Sequence, residues 1–501
     1  MKTKELDVAL KAIVKSSAFV FIFLILSKVI TYFYRIIIAR YFGPEIYGSL
    51  SLAIMISGFF IFFSVLGLDE GLLRFIPFYR GKKNNKKTSI LFNFSFKFVL
   101  FLSLIFGLAM FMSSNFIAIA FFHNASLAIF FQIFSIIVPI SSITRLYLAT
   151  IRSFEEIGWY SFLTNFVEGA SKLVFLIIFI FIGFGAFSVS ISYIAGALLM
   201  LIGSYLVFQY TLNFKSKKNK LGSKDVKIEL LKYSWPLMFY SVIGSLFGWI
   251  DTFAIGFLKT IVDVGVYNAA IPIAALLCFM PNLFMQLFSP MINRHYSENK
   301  ISLVRDLTKQ IGKWIFIFSL PIVIILVFFP GAIINFIFGE GYSSAAKPLI
   351  FLAIGYLFYA QFVPSYSILN MIKKSRLNLM NIIISSIINF ILNFLLIPKF
   401  GINGAAFATM ISFVTLSLLG GIETNYLISI IPLKRKMFRI GIIGLVSISL
   451  IFVIKKFVEV TIINIILVGI LFFLTYFILI FLTSLDKNDI MILKTIKRRI
   501  I

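Results

Sequence analysis

The stretch SLFGWIDTFAIGF, residues 245–257, sets a single carboxylate, Asp251, in the middle of an apolar run, with no other charge between Lys232 and Lys259. A carboxylate at bilayer depth costs about 2.5–3.5 kcal/mol on insertion scales. It must be neutralised by a partner or belong to a working site. Similar apolar runs recur along all 501 residues, and the chain is 60% hydrophobic with a mean hydropathy of +1.03. A soluble protein of that make-up would expose far too much apolar surface. Runs of about 18 residues or more are long enough to cross a bilayer as helix. The alternating ten-residue segments of a membrane barrel do not occur. The chain is therefore expected to be an all-α polytopic membrane protein.

Spans are expected at 16–40, 46–67, 88–112, 126–150, 156–182, 187–210, 232–257, 264–289, 313–334, 346–371, 377–398, 403–430, 438–456 and 461–483, about fourteen in all. The apolar stretch that begins after Lys15 is too long for a signal-peptide core and reads as a retained first span. Lys and Arg then sort by side. Of 46, 33 fall on the side that holds both termini, six on the other, and seven within spans or at their ends. The positive-inside rule puts both termini in the cytoplasm. The net charge of +27 thus reads as topology and attraction to anionic membrane lipid, and no nucleic-acid partner is expected. Cys278 is the lone cysteine and His123 and His295 are far apart in sequence, so neither an internal disulfide nor a metal site is expected.

The chain also contains itself twice. IYGSLSLA (46–53) resembles DVGVYNAA (263–270), pairing Gly48 with Gly265 at an offset of 217. IAIAFFHNAS (117–126) resembles INFIFGEGYS (334–343), and GFGAFSVSIS (183–192) resembles KFGINGAAFA (399–408), both at an offset of 216. Six spans separate equivalents, an even number, so the halves insert the same way up about an axis along the membrane normal. That is a parallel-repeat transporter design, with the substrate path between lobes. The expected division is an N-terminal lobe (1–213), a basic cytoplasmic linker (214–231), a C-terminal lobe (232–433), and a final helix pair with a basic tail (434–501).

IARYFGPEIYGSLSLA (38–53), IDTFAIGF with VGVYNAA (250–270), IFGEGYSSAAKPL (337–349) and FGINGAAFATMIS (400–412) resemble the signatures of polysaccharide-biosynthesis flippases. These form the polysaccharide transporter branch of the multidrug/oligosaccharidyl-lipid/polysaccharide exporter superfamily. The resemblance implies a non-enzymatic, multi-pass protein of the cell (plasma or inner) membrane. It would move a lipid-linked oligosaccharide from the cytoplasmic to the outer leaflet by alternating access, for cell-surface glycan assembly. It further implies a central cationic cavity for the sugar diphosphate, and glycan-assembly enzymes as companions. No cofactor is expected, and coupling to an H+ or Na+ gradient is left open. The competing readings are a multidrug/cation antiporter of the same superfamily and a membrane-embedded glycan-assembly enzyme. Short outer loops with few charges speak against the enzyme.

On this reading Lys28, Arg35 and Lys172 line the cavity, Arg offering phosphate a planar fork and Lys a compact charge. The alternative for Arg35 is an end-of-helix snorkel. Glu168 and Lys172 share a helix face at i, i+4, as a gating pair or a self-neutralised structural one. Asp251 maps by the repeat to Tyr34, beside Arg35, and is expected to meet Arg35 across the cleft when the outer side closes. Its rival role is a fixed pairing with Thr252 or another nearby hydroxyl. Asp69 and Glu70, with Arg74 near, read as a helix cap or as a gate for arriving substrate. Pro272, Pro281 and Pro290 should kink span 8, with hinge motion as one consequence. Glu423 is deep enough in span 12 to bind a proton or cation, with no partner evident. Segment 116–122 is expected in the membrane interface.

Overall fold

The computed structural model describes residues 2–211, 223–455 and 462–484. The expected basic tail from 485, and the expected basic linker up to 222, lie outside the described residues. Among the described residues all regular structure is helical. Among the described residues, ten helices are long and apolar enough to cross a membrane, or eleven if one bent pair counts as a single span. The expected spans lie on helix over most of their described residues, with breaks at 136 in span 4 and at 329 in span 9. Spans 1 and 2 share one element, α1 (Lys2–Val65), which reverses character at Gly43 (φ 80, ψ 178) just before Pro44. Glycine accepts that positive φ at no steric cost and the proline follows with no N–H to give.

The chain divides into two compact units, 1–268 and 269–501. The first contains α1, α2 (Leu68–Gly81), α3 (Asn85–Ala120), α4 (Leu127–Ser135), α5 (Ile137–Ser153), α6 (Ile157–Phe162), α7 (Glu168–Ile182), α8 (Phe187–Thr211) and α9 (Ser223–Leu258). The two units follow packing, whereas the expected lobes follow pseudosymmetry. Helix α9 has 36 residues, a length of about 54 Å against a hydrocarbon core of about 30 Å. It is therefore longer than the hydrocarbon core is thick, and it carries Lys224 and Lys227 near its start on the same rod. Helix α3 is equally long and corrects one expectation. Segment 116–122 does not start afresh: α3 runs on to Ala120, with no Gly or Pro between Leu108 and Ala120 to stop it. Phe122 then turns in against Phe131 and Phe253.

Small residues let backbones touch along α1, α2 and α9. A Cβ on Gly58 would lie 2.2 Å from the Trp249 ring, and one on Gly67 2.4 Å from the Ser234 carbonyl oxygen. The closest approach is between Gly48 and Gly265, the latter on α10 (Ile261–Ala275). A Cβ on Gly48 would sit 2.1 Å from the Ile261 carbonyl oxygen, and one on Gly265 1.9 Å from that of Pro44. Pro44 and Ile261 are themselves 217 positions apart. Each glycine thus meets the repeat equivalent of the other's neighbour, the signature of an isologous contact.

The second unit comprises the end of α10, α11 (Phe279–Ser297), α12 (Ile301–Phe328), α13 (Pro330–Phe338), α14 (Ala346–Met371), α15 (Ser375–Phe400), α16 (Ile402–Ile428), α17 (Lys436–Lys455) and α18 (Ile462–Thr483). Span 8 breaks at Leu276–Cys278, a short 3-10 turn between α10 and α11. Pro281 accounts for it, since its ring crowds the carbonyl four residues back and it has no N–H to offer. Pro272 and Pro290 lie inside their helices without breaking them. The final helices are fastened to α12: the buried Lys313 Nζ donates to the Ser484 carbonyl at 2.8 Å.

Candidate functional site

In the first unit, span 5 is not a plain α-helix. A π turn over Leu163–Val167 separates α6 from α7, a device found often at functional positions. Glu168 opens α7, and one turn later Lys172 Nζ contacts its Oε1 at 2.9 Å. The lysine is 12% exposed and the glutamate 46%. Lys172 is wedged against α8: its Nζ lies 3.8 Å from the centre of the Tyr193 ring. A Cβ on Gly196 would come within 2.5 Å of its stem. Tyr34, buried on α1, lies within electrostatic reach of Lys172, Tyr193 and Arg35, and Arg35 within reach of Tyr193. The structure therefore gathers Arg35 and Lys172 around two tyrosines. Lys28 is exposed on α1, and no hydrogen bond, ion pair or ring contact among the described residues ties it to either cation.

Sequence reasoning left Arg145 without a role. On α5, it stacks over the Phe62 ring at 4.9 Å and acts electrostatically on both Glu168 and Asp69. It joins the span-5 pair to the first turn of α2, where Asp69 and Glu70 sit. Acids there suit the positive end of the helix dipole, and Asp69 Oδ1 accepts the Glu70 N–H at 3.0 Å. Burial pushes the Asp69 carboxyl up, with Arg145 acting the other way. Burial and then the Asp69 charge push Glu70 up. Arg74 turns elsewhere, its guanidinium 4.2 Å from the Tyr233 ring centre.

Asp251 is buried and accepts a hydrogen bond from the Tyr267 hydroxyl at 2.5 Å. Arg35 Nη1 donates to the Tyr47 hydroxyl at 3.2 Å. That hydroxyl donates to the Asn268 carbonyl at 3.3 Å, and Asn268 Nδ2 donates to Thr252 Oγ1 at 3.2 Å. Arg35 and Asp251 thus belong to neighbouring hydrogen-bond chains rather than to one ion pair. The Tyr267 hydroxyl that serves Asp251 lies sixteen residues on.

The second unit has a different polar face. Asn378, Asn381, Ser385, Asn389 and Asn393 of α15 are all buried. Their spacing of three or four residues is a helix-face period, a signal that sequence reading passed over. Asn389 Nδ2 reaches Thr409 Oγ1 on α16 at 3.2 Å. Asn381 Nδ2 donates to Glu423 Oε2 at 2.7 Å, supplying the partner that the sequence alone did not.

The chain matches two family profiles, one described as Polysaccharide biosynthesis protein over residues 13–294 and MatE over 236–395. It is 26% identical to the probable low-salt glycan biosynthesis flippase Agl15 of Haloferax volcanii, covering 48% of this chain and 51% of that one. It is 23% identical to a putative O-antigen transporter of Shigella flexneri, covering 76% and 90%. Among solved structures, the lipid II flippase MurJ in an inward closed conformation superposes with a TM-score of 0.72 at 18% identity, covering 92% of this chain and 97% of MurJ. At that identity the likeness is one of fold. With the profile spanning more than half its length and a polytopic helical fold to match, this chain belongs to the polysaccharide biosynthesis protein family, flippases of the multidrug/oligosaccharidyl-lipid/polysaccharide exporter superfamily.

Proposed function

We propose that this protein carries a polyprenyl-phosphate or -diphosphate oligosaccharide from the cytoplasmic to the outer leaflet of the cell membrane, by alternating access, with both termini in the cytoplasm. The observation that carries the reading is the convergence of Arg35 and Lys172 on Tyr34 and Tyr193 within membrane helices. Buried cations are expensive at that depth and are kept where they work. A phosphate group is the anion that Arg and Lys together recognise best, and tyrosine rings beside them offer a sugar a flat apolar face and a hydroxyl. Glu168 holds Lys172 while the site is empty, and an arriving phosphate competes for it. Such a cluster suits an anionic cargo and disfavours the cationic drugs of a multidrug antiporter. The named relatives are themselves a probable flippase and a putative transporter, which supports transport rather than bond-making chemistry.

The test is translocation in proteoliposomes. A tagged polyprenyl-diphosphate oligosaccharide is placed in the leaflet corresponding to the cytoplasmic side, and its passage is followed with an external glycosidase. Protein-dependent transfer that fails in Arg35→Ala is expected. Transfer equal to that of empty liposomes for several glycans, alongside efflux of small organic cations, would replace this reading with the antiporter.

A further inference from the structure

Arg35 reaches the backbone of another helix through a hydroxyl. Its Nη1 donates to the Tyr47 hydroxyl at 3.2 Å, and that hydroxyl donates to the Asn268 carbonyl of α10 at 3.3 Å. Tyr47 is 1% exposed. It stands one residue before Gly48, where α1 and α10 meet backbone to backbone. The helix itself accounts for the choice of carbonyl. Inside a helix a carbonyl accepts from the N–H four residues on. Four residues after Asn268 comes Pro272, which has no N–H and whose ring crowds that carbonyl. Pro272 thus leaves an acceptor within a span in need of an outside donor, and Tyr47 supplies it. Asn268 is held by its side chain as well: its Nδ2 donates to the Val264 carbonyl at 2.9 Å and to Thr252 Oγ1 of α9 at 3.2 Å.

We infer that Tyr47 is a positioning residue that transmits the occupancy of Arg35 to the seam between α1 and α10. A hydroxyl has one proton to give, and here it goes to the Asn268 carbonyl. While Arg35 donates to the same oxygen, that bond is strengthened, because hydrogen bonds in a chain polarise one another. A phosphate is a stronger acceptor for a guanidinium than a neutral phenol is. When the Arg35 fork turns to a phosphate, the hydroxyl loses its donor and its bond across the seam weakens. The seam is therefore firm while the site is empty and loosens when cargo arrives. By linkage, a change that loosens the seam beforehand tightens phosphate binding by the same factor. The inference rests on the reading of Arg35 as a phosphate site, and measuring binding and seam opening on the same samples separates the two.

The experiment is hydrogen–deuterium exchange of residues 46–53, with equilibrium binding measured in parallel, on the full-length protein in phosphatidylcholine nanodiscs. The probe is farnesyl diphosphate, with farnesol as the phosphate-free control. In wild type the diphosphate should speed exchange about fivefold, the equivalent of one neutral hydrogen bond, and farnesol should leave it unchanged. Without ligand, Tyr47→Phe should exchange about fivefold faster than wild type. It should respond no further to the diphosphate and should bind it about fivefold more tightly. Pro272→Ala returns an N–H to the Asn268 carbonyl and should behave in the same way. A diphosphate response of wild-type size in Tyr47→Phe, or weaker binding by that variant, makes Tyr47 a packing residue and overturns the inference. Binding to wild type with no change in exchange overturns it and leaves the phosphate site standing. No binding to wild type overturns it together with the phosphate site.

Discussion

Span 5 in the first unit and span 11 in the second are the same helix of the internal repeat, and Asn165 and Asn381 stand 216 positions apart in them. Their polar faces differ in kind. Span 5 is interrupted by a π turn and carries the Glu168–Lys172 pair, with Arg145 acting on it from α5. Span 11 is an unbroken α15 whose face is asparagine and serine, meeting a lone acid on α16. A duplicated scaffold keeps the packing, because close helix approach depends on backbone and small residues. Its electrostatics are free to diverge, because polar side chains on a buried face can be exchanged turn by turn. The first unit has become cationic and the second oxygen-rich.

The comparison breaks most visibly if the two faces respond alike. Lys172→Met should lower translocation by about tenfold to a hundredfold, the loss of a charge-assisted contact. Asn389→Ala should lower it by less than about threefold. Equal losses in the same vesicle assay would erase the functional distinction. The shared scaffold is tested by Gly48→Val and Gly265→Val. Each forces a side chain into backbone, at about 1–3 kcal/mol or more, and an isologous contact predicts matched losses. Denaturant unfolding that spares one of the two would break the equivalence of the two contacts. Tyr267→Phe takes the hydroxyl donor from Asp251 and should cost about 1 kcal/mol. The same change in an Asp251→Asn background should cost less, and an unchanged cost would uncouple the pair.

The smallest effect lies outside the membrane, at the corner between α11 and α12. There Lys300 and Arg294, donating to Glu298, hold its carboxyl down at about 2. Its folded value lies below its ordinary 4.5, so the stability it lends is full above the ordinary value and lost as pH falls toward 2. Glu298→Gln should flatten acid unfolding in that window only. A profile superimposable on that of wild type would show that the cluster contributes nothing.

Much of this was legible because hydrophobicity is additive along a chain. Most of the spans could be read from residue order, and Gly48 and Gly265, paired by sequence offset, meet in space. Lys172 and Glu168 were legible as a pair because i, i+4 neighbours meet on any helix. The tyrosines were not, since Tyr34 and Tyr193 converge from helices more than a hundred residues apart. Arg145 was visible as an intramembrane charge yet had no evident partner, for the same reason.

By itself, then, the sequence determined that this chain is a multispan helical protein built by duplication, and which residues carry charge into the membrane. Periodicity and transfer free energy depend only on local order. Tertiary structure alone decided that Asp251 accepts from Tyr267, that Arg145 serves both Glu168 and Asp69, and that Glu423 meets Asn381. Electrostatic and hydrogen-bond energies depend on distance and direction in space, and those exist only once the helices have packed.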